Sequence, residues 1–215
     1  MTAFQKLFWL IQMGVNSFCD EHAPNRLKLR NKVDSKTIAQ LDQKLVQSSI
    51  ALAKTALHPM GGIGCLSPLV MCVLDAPSAQ EDKTGQYLSG QEGELTKKML
   101  SAIGLDIQKN TYLTYLSPWR PPGNRLLTNV EMNQCKDLLN QRINLIQPKF
   151  LLLLGAPVVK SLLTSKTLSQ ARLGHEKYQD IPTLGTFAPS WLMKNPDYRR
   201  QVWEDLKKFK KMIDL

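Results

Sequence analysis

Apolar positions along this chain alternate between two periods. Over residues 4–18, Leu7, Phe8, Leu10, Ile11 and Val15 recur at helical spacing. A loop is predicted over 16–26. Ser35 is the expected N-cap of a helix reaching about residue 57, with Ile38, Leu41, Leu45, Ile50, Leu52 and Ala53 apolar. Residues 61–67 read as a turn cluster. The run 69–74 is continuously apolar, as a strand covered on both faces should be. A polar, glycine-containing loop over 75–93 leads to a helix over 94–103, closed by Gly104. Residues 111–116 form the second predicted strand. Three prolines and a glycine make 118–125 a loop. A helix over 128–146 and a buried strand over 150–154 follow. Gly155 then leads into a short helix near 158–163, and 183–187 reads as a weaker strand. The last helix, 196–212, places Val202, Trp203, Leu206, Phe209 and Ile213 on its inner stripe.

Strands alternating with helices predict an α/β domain, a three-layer αβα sandwich around a mostly parallel sheet of about four strands. Residues 1–60 are expected to form an N-terminal helical extension packed on a domain spanning 61–215. Ligands of such folds sit beyond the carboxyl ends of the strands. That places the loops 75–93, 117–125 and 188–196 at the expected site.

The chain has 215 residues, with 28 Lys+Arg against 18 Asp+Glu and a formal charge of +10. This excess points to a polyanionic partner. No apolar run is long enough to span a membrane, and the N-terminal stretch lacks a signal-peptide cleavage site. A cytoplasmic protein is expected. Cys19, Cys65, Cys72 and Cys135 include no C-x-x-C pair, and His22, His58 and His175 are dispersed. Inert thiols and no metal site are expected.

The predicted loops carry ordered motifs: Leu74-Asp75-Ala76-Pro77-Ser78, Glu81-Asp82, then Gly85, Gly90 and Gly93. Tyr112-Leu113-Thr114-Tyr115 is followed by Arg120-Pro121-Pro122-Gly123-Asn124-Arg125, then Glu131 and Cys135. Later come Pro148-Lys149, Gly155, Arg172 near Gly174, Phe187-Ala188-Pro189-Ser190-Trp191-Leu192, and Trp203 to Leu206. In this order, over about residues 69–215, the chain resembles uracil-DNA glycosylases of the family 4 type, in particular a cluster-free bacterial branch. The resemblance implies base-excision DNA repair, a DNA partner, and hydrolysis of the glycosidic bond of an extruded base. Asp75 then falls at the water-positioning acid, with Glu81 a second carboxylate able to activate water. Ala76, Pro77, Ser78, Leu88, Tyr115 and Ala188 fall at the substrate pocket. Arg120, Asn124, Arg125, Pro189, Ser190 and Trp191 fall at the DNA-binding loops.

The departures from the family pattern are equally specific. The motif Glu is Asp75, and a motif Gly is Ser78. The stacking Phe position is Leu88, the base-reading Asn position is Tyr115, and the histidine position is Ala188. Losing one preorganised donor at a developing charge costs ~100- to 1000-fold in rate. Losing an aromatic platform costs about 1–3 kcal/mol of stacking. Uracil excision is therefore expected to be weak or absent. Of the four cluster cysteines the resemblance implies, only Cys135 matches; Trp119 replaces another, and no N-terminal pair exists. No iron–sulfur cluster or other cofactor is expected.

Each residue also has a plainer reading. Asp75 is also suited to capping a helix or a loop. Tyr115 either plugs the pocket, stacks on a base, or is a core tyrosine with a bonded hydroxyl. Ser190 and Trp191 either wedge into DNA or cap and pack. Arg120, Asn124 and Arg125 either contact phosphates or rigidify a loop. The basic runs 26–36 and 194–211 read mainly as solvated faces. Two functions remain: a glycosylase-like hydrolase, or a catalytically inactive DNA-binding or protein-interaction module that keeps the fold. A monomer is the expected state.

Overall fold

The computed structural model describes residues 35–163 and 166–214. The helix expected over 4–18 lies outside these residues. One sheet of six strands forms the centre, in the order β1-β3-β2-β4-β6-β5. The strands are β1 (Gly62–Gly64), β2 (Val70–Leu74), β3 (Thr111–Tyr115), β4 (Phe150–Leu154), β5 (Glu176–Tyr178) and β6 (Ile181–Thr186). The four inner strands β3, β2, β4 and β6 are mutually parallel. They are the four that the apolar runs predict. The two edge strands pair antiparallel, β1 with β3 and β5 with β6. Neither edge strand carries an apolar run: β1 is Gly-Ile-Gly and β5 is Glu-Lys-Tyr. Only one flank pairs such a strand, so its composition escapes the buried-strand pattern.

Alternate residues of the inner strands serve opposite faces. Val70, Cys72, Leu113, Tyr115, Leu152 and Leu154 join one core with Met99, Leu100, Leu206 and Phe209. Met71, Val73, Tyr112, Leu151 and Leu153 join the other with Leu139, Ile143, Val158 and Leu162. The helices Gly90–Ala102 and Arg199–Ile213 thus cover the first face, and Asn129–Ile146 and Ala156–Leu162 the second. Beyond this third layer, Leu45, Leu52, Trp119 and Cys135 form a smaller apolar cluster.

Several predicted boundaries shift. The helix over 35–57 is Ser35–Val46 followed by a separate turn of 3-10 helix, Ala51–Lys54. The 75–93 loop contains a helix, Ala79–Thr84, closed at its start by a capping box between Ser78 and Glu81. The 188–196 loop contains Pro189–Lys194, with proline at its first turn. Trp203 is off the inner stripe: it is 43% exposed, with the Lys207 ammonium over its ring. The true stripe is Val202, Asp205, Leu206 and Phe209. Its one acid, Asp205, is fully buried and accepts from Arg172 Nε at 2.6 Å and Thr186 Oγ1 at 2.7 Å. That pairing ties the last helix to the end of β6 and so anchors the loop that follows.

Candidate active site

The carboxyl ends of β2, β3, β4 and β6 converge on one side of the sheet. The chain leaves β2 towards β3 and β4 lies on β2's other flank, so the crevice between β2 and β4 is the switch point of the sheet. Asp75 is the first residue beyond β2. Its backbone carbonyl accepts from Ser117 N–H at 2.9 Å, which ties it to the end of β3. Its side chain turns the other way, over Gly155 at the end of β4. A Cβ at Gly155 would lie 2.3 Å from Asp75 Oδ1, and the backbone there has φ +126°, so only glycine permits this approach. Asp75 Oδ1 is buried without a hydrogen-bond partner. Burial pushes the Asp75 carboxyl up to about 7, the Val158 backbone N–H opposes this, and the charge of Glu92 adds to it. A carboxyl poised there suits a general base at neutral pH.

Asp75 lies between two spaces of different size. A cleft of about 220 Å³ is lined by Asp75, Ala76, Pro77, Ser78, Glu92, Asn124, Arg125, Ser190, Trp191 and Lys194, among others. Behind it a slot of about 30 Å³ is lined by Asp75, Ala76, Glu81, Leu88, Glu92, Pro189 and Ser190 with their neighbours. That slot has room for about two waters and none for a base. Glu81 and Leu88 stand in its wall, and Tyr115, outside that lining, bonds to Glu81. Glu81 Oε1 accepts from Tyr115 Oη at 2.5 Å and from Leu88 N–H at 2.7 Å, while Oε2 accepts from Ser78 N–H at 2.8 Å. Tyr115 is 3% exposed, lies 6.2 Å from the Tyr87 ring in a stacked arrangement, and is absent from the cleft. Burial first, then Glu81, raises its hydroxyl pKa. Leu88 is buried at φ +55°, held against Gly93, where a Cβ would meet its carbonyl carbon at 2.1 Å. Ala188 is 7% exposed and starts the Pro189–Lys194 helix.

The proline-rich loop is locked from within. Arg120 Nε donates to Asn124 Oδ1 at 2.6 Å, and its guanidinium lies 3.8 Å from buried Asp82. Arg125 forms two parallel bonds to Glu131, at 2.6 and 2.8 Å. Glu131 is also the capping-box acid of the Asn129–Ile146 helix, through Thr128. The Arg125 guanidinium, with the Thr128 bonds, holds the Glu131 carboxyl down at about 2. Its stabilisation is present above the unfolded carboxyl's titration, near pH ~4, and is lost as pH falls towards ~2. Arg125→Ala is therefore expected to raise the Glu131 titration in carboxyl-detected NMR and to move acid unfolding to higher pH. An unmoved Glu131 titration would show that Thr128 alone holds it.

On the opposite rim, Trp191 stacks on Phe187 with centroids 4.6 Å apart, and the Arg172 guanidinium lies 4.9 Å from the Phe187 ring. Trp191 is half-buried and pinned, yet it lines the cleft. Glu92 and Lys194 also line it, and the sequence motifs do not single them out. Glu92 sits in a polar, glycine-rich stretch that reads as loop but is the first turn of Gly90–Ala102. Only the inward spacing of Gly93 and Thr96 hints at that helical face.

The residues where a cluster would sit do not fit one. Cys135 is fully buried against Trp119, Leu45 and Leu52, and burial pushes its thiol up to about 11. A cluster takes thiolates, usually four, and Cys135 is the single thiol in that packed group. No group of three or more His, Cys, Asp or Glu able to hold a metal occurs among the described residues. No described helix is long and apolar enough to cross a membrane.

Residues 62–207 match the family model of the uracil DNA glycosylase superfamily. The chain is 31% identical over 160 residues to a type-4 uracil-DNA glycosylase of Thermotoga maritima, covering 71% of this chain and 81% of that one. It is 28% identical to the type-4 enzyme of Sulfurisphaera tokodaii, covering 79% and 84%. Against that of Archaeoglobus fulgidus the identity is 27%, covering 73% and 83%.

Proposed function

The chain belongs to the uracil DNA glycosylase superfamily, and on that premise we propose that it binds DNA in base-excision repair and hydrolyses the N-glycosidic bond of a damaged base, with uracil excision weak or absent. The relatives are named for acting on uracil in DNA. The observation that carries the departure from them is the contrast of the two spaces around Asp75. The slot, with Glu81 and Leu88 in its wall, is too small for a base, while the cleft beside Asp75 is open. A base would therefore rest in the cleft, between the Pro77 and Trp191 sides, with Asp75 positioning and deprotonating the water. Arg125 and Lys194 line this opening with exposed side chains, half-buried Arg120 lies in the same loop as Arg125, and cations beside a cleft favour a phosphate backbone. Arg120 and Arg125 are already held by protein partners, so they offer phosphate a fixed positive edge rather than a flexible one.

The test is a gel assay with duplexes carrying uracil, hypoxanthine, an alkylated base or an abasic site. Scission after alkali at any damaged base, with uracil slowest or silent, is the expected result. A shift with DNA and no scission anywhere would leave the inactive, fold-retaining DNA binder instead. No shift at about 50 mM salt would remove both readings, because phosphate binding is strongest at low salt.

A further inference from the structure

We propose that Glu92 reads the edge of the base held in the cleft and selects bases that present an amino group over those that present a carbonyl; this rests on the DNA-lesion reading above. Few polar groups around the cleft remain free to accept a hydrogen bond from a base. Glu81 is committed to Tyr115, Leu88 and Ser78. Asn124 Oδ1 accepts from Arg120, which leaves its amide N–H groups to donate and not to accept, and Arg125 is committed to Glu131. Tyr115 is buried in the core and lines neither the cleft nor the slot. Among the carboxylates only Asp75 and Glu92 line both the cleft and the slot, and Asp75 is assigned to the water.

Glu92 is half-buried, and no side-chain hydrogen bond holds its carboxylate among the described residues. It projects from the first turn of a 13-residue helix whose next residue, Gly93, is pressed against the Leu88 backbone. Its backbone is therefore fixed while its carboxylate is unspent. The charged groups that act on it are Glu81 and Asp75 from the slot side and Lys194 from the opposite rim. Burial and Glu81 raise its pKa, and Lys194 offsets part of this. An N–H donor from a ligand would relieve both burdens.

The chemistry of recognition then follows from the donor and acceptor inventory. A side-chain amide offers a donor and an acceptor, and so can match a carbonyl beside an N–H. An ionised carboxylate only accepts. It pairs with an exocyclic amino group, as Glu does with the amino group of cytosine, and repels a carbonyl oxygen. Uracil and hypoxanthine are what cytosine and adenine become when that amino group is replaced by a carbonyl. Glu92 thus disfavours the deaminated bases, in keeping with a slot too small for a base. It favours damaged bases that have kept the amino group, such as alkylated or oxidised adenines and cytosines.

The experiment is fluorescence anisotropy with the full chain and duplexes that carry one test base opposite an abasic site, so that pairing does not oppose extrusion. Cytosine against uracil, and adenine against hypoxanthine, differ at the amino or carbonyl position that Glu92 would read. The parent is expected to prefer the amino member of each pair by about tenfold. Glu92→Gln, which keeps the size and supplies a donor, should abolish or reverse both preferences, each read as the ratio of affinities within a pair so that the change in general DNA affinity from the lost charge cancels. Glu92→Ala should abolish them without reversal, and its melting curve controls for folding. DNA binding with no amino preference in the parent, or a preference that survives Glu92→Gln, overturns the role of Glu92 and leaves the DNA reading standing. Absence of binding to every duplex overturns that reading and this inference together.

Discussion

Asp75→Asn should make the protein more stable at pH 8 by about 2–4 kcal/mol while lowering base excision at least ~100-fold. The stability gain follows from linkage. In the folded chain the Asp75 carboxyl titrates at about 7 because it is buried and faces Glu92; in the unfolded chain it titrates near ~3.9. Below pH ~4 both states hold the proton and the site costs nothing. Between ~4 and ~7 the unfolded chain has released it and the folded chain retains it. The folded state binds more protons, so stability falls as pH rises through this window. Each unit of difference is worth about 1.4 kcal/mol, which sets an upper bound of roughly 4 kcal/mol above pH 7. Asparagine carries no such penalty. The variant's advantage in urea unfolding should therefore be largest at pH 8 and vanish near pH 4. The loss of excision follows because the amide cannot take the water's proton. A variant less stable than the parent at pH 8 would mean that Asp75 is a structural cap and not a strained functional carboxylate. Loss of DNA affinity together with excision would point the same way.

The parallel core of this fold was legible because burial on both faces leaves unbroken apolar runs, as in Leu151-Leu152-Leu153-Leu154. The edge strands were not legible, since Gly62–Gly64 and Glu176–Tyr178 earn their pairing from neighbours rather than from composition. The position of Asp75 beside the cleft was legible from its place after an apolar strand. The condition of the pocket was legible only as a set of replacements. That Leu88, Tyr115 and Ala188 differ from the family pattern can be read off the chain; that Tyr115 turns inward onto Glu81 cannot. Glu81 looks like a second catalytic acid in the sequence because an Asp follows it in a family motif. In three dimensions it caps a helix and accepts the tyrosine, a contact across 34 residues of sequence that no local pattern encodes. Glu92 escaped for a related reason. It lies in a segment that local composition marks as loop, and only the docking of Gly93 on Leu88 brings it to the cleft.

Glu81→Ala should destabilise the fold by about 3–5 kcal/mol, the largest single loss expected around the site. The side chain is 4% exposed and accepts three hydrogen bonds from groups that no solvent can reach easily. Removing an acceptor from a buried donor costs about 1–3 kcal/mol, and here Tyr115 Oη, Leu88 N–H and Ser78 N–H lose theirs together. The capping box of Ala79–Thr84 is lost with them. Tyr115→Phe should cost less, about 1–3 kcal/mol, because Glu81 keeps its two backbone donors. The double variant is expected to be no worse than Glu81→Ala alone, since the tyrosine hydroxyl no longer needs a partner. That non-additivity, measured by urea unfolding of the four proteins, identifies the pair as a mutual plug. Strict additivity would mean that the two residues contribute separately and that the slot is closed by packing of Leu88 alone. The plug also constrains any attempt to restore uracil binding. Shortening Tyr115 leaves Glu81, which stands in the slot wall, short of a donor, so a base entering there must itself offer an N–H to Glu81. Uracil does so only through its N–H edge, whereas an amino-bearing base does so through its exocyclic group as well. Removing the tyrosine alone should therefore open the slot to amino-bearing bases before it opens it to uracil.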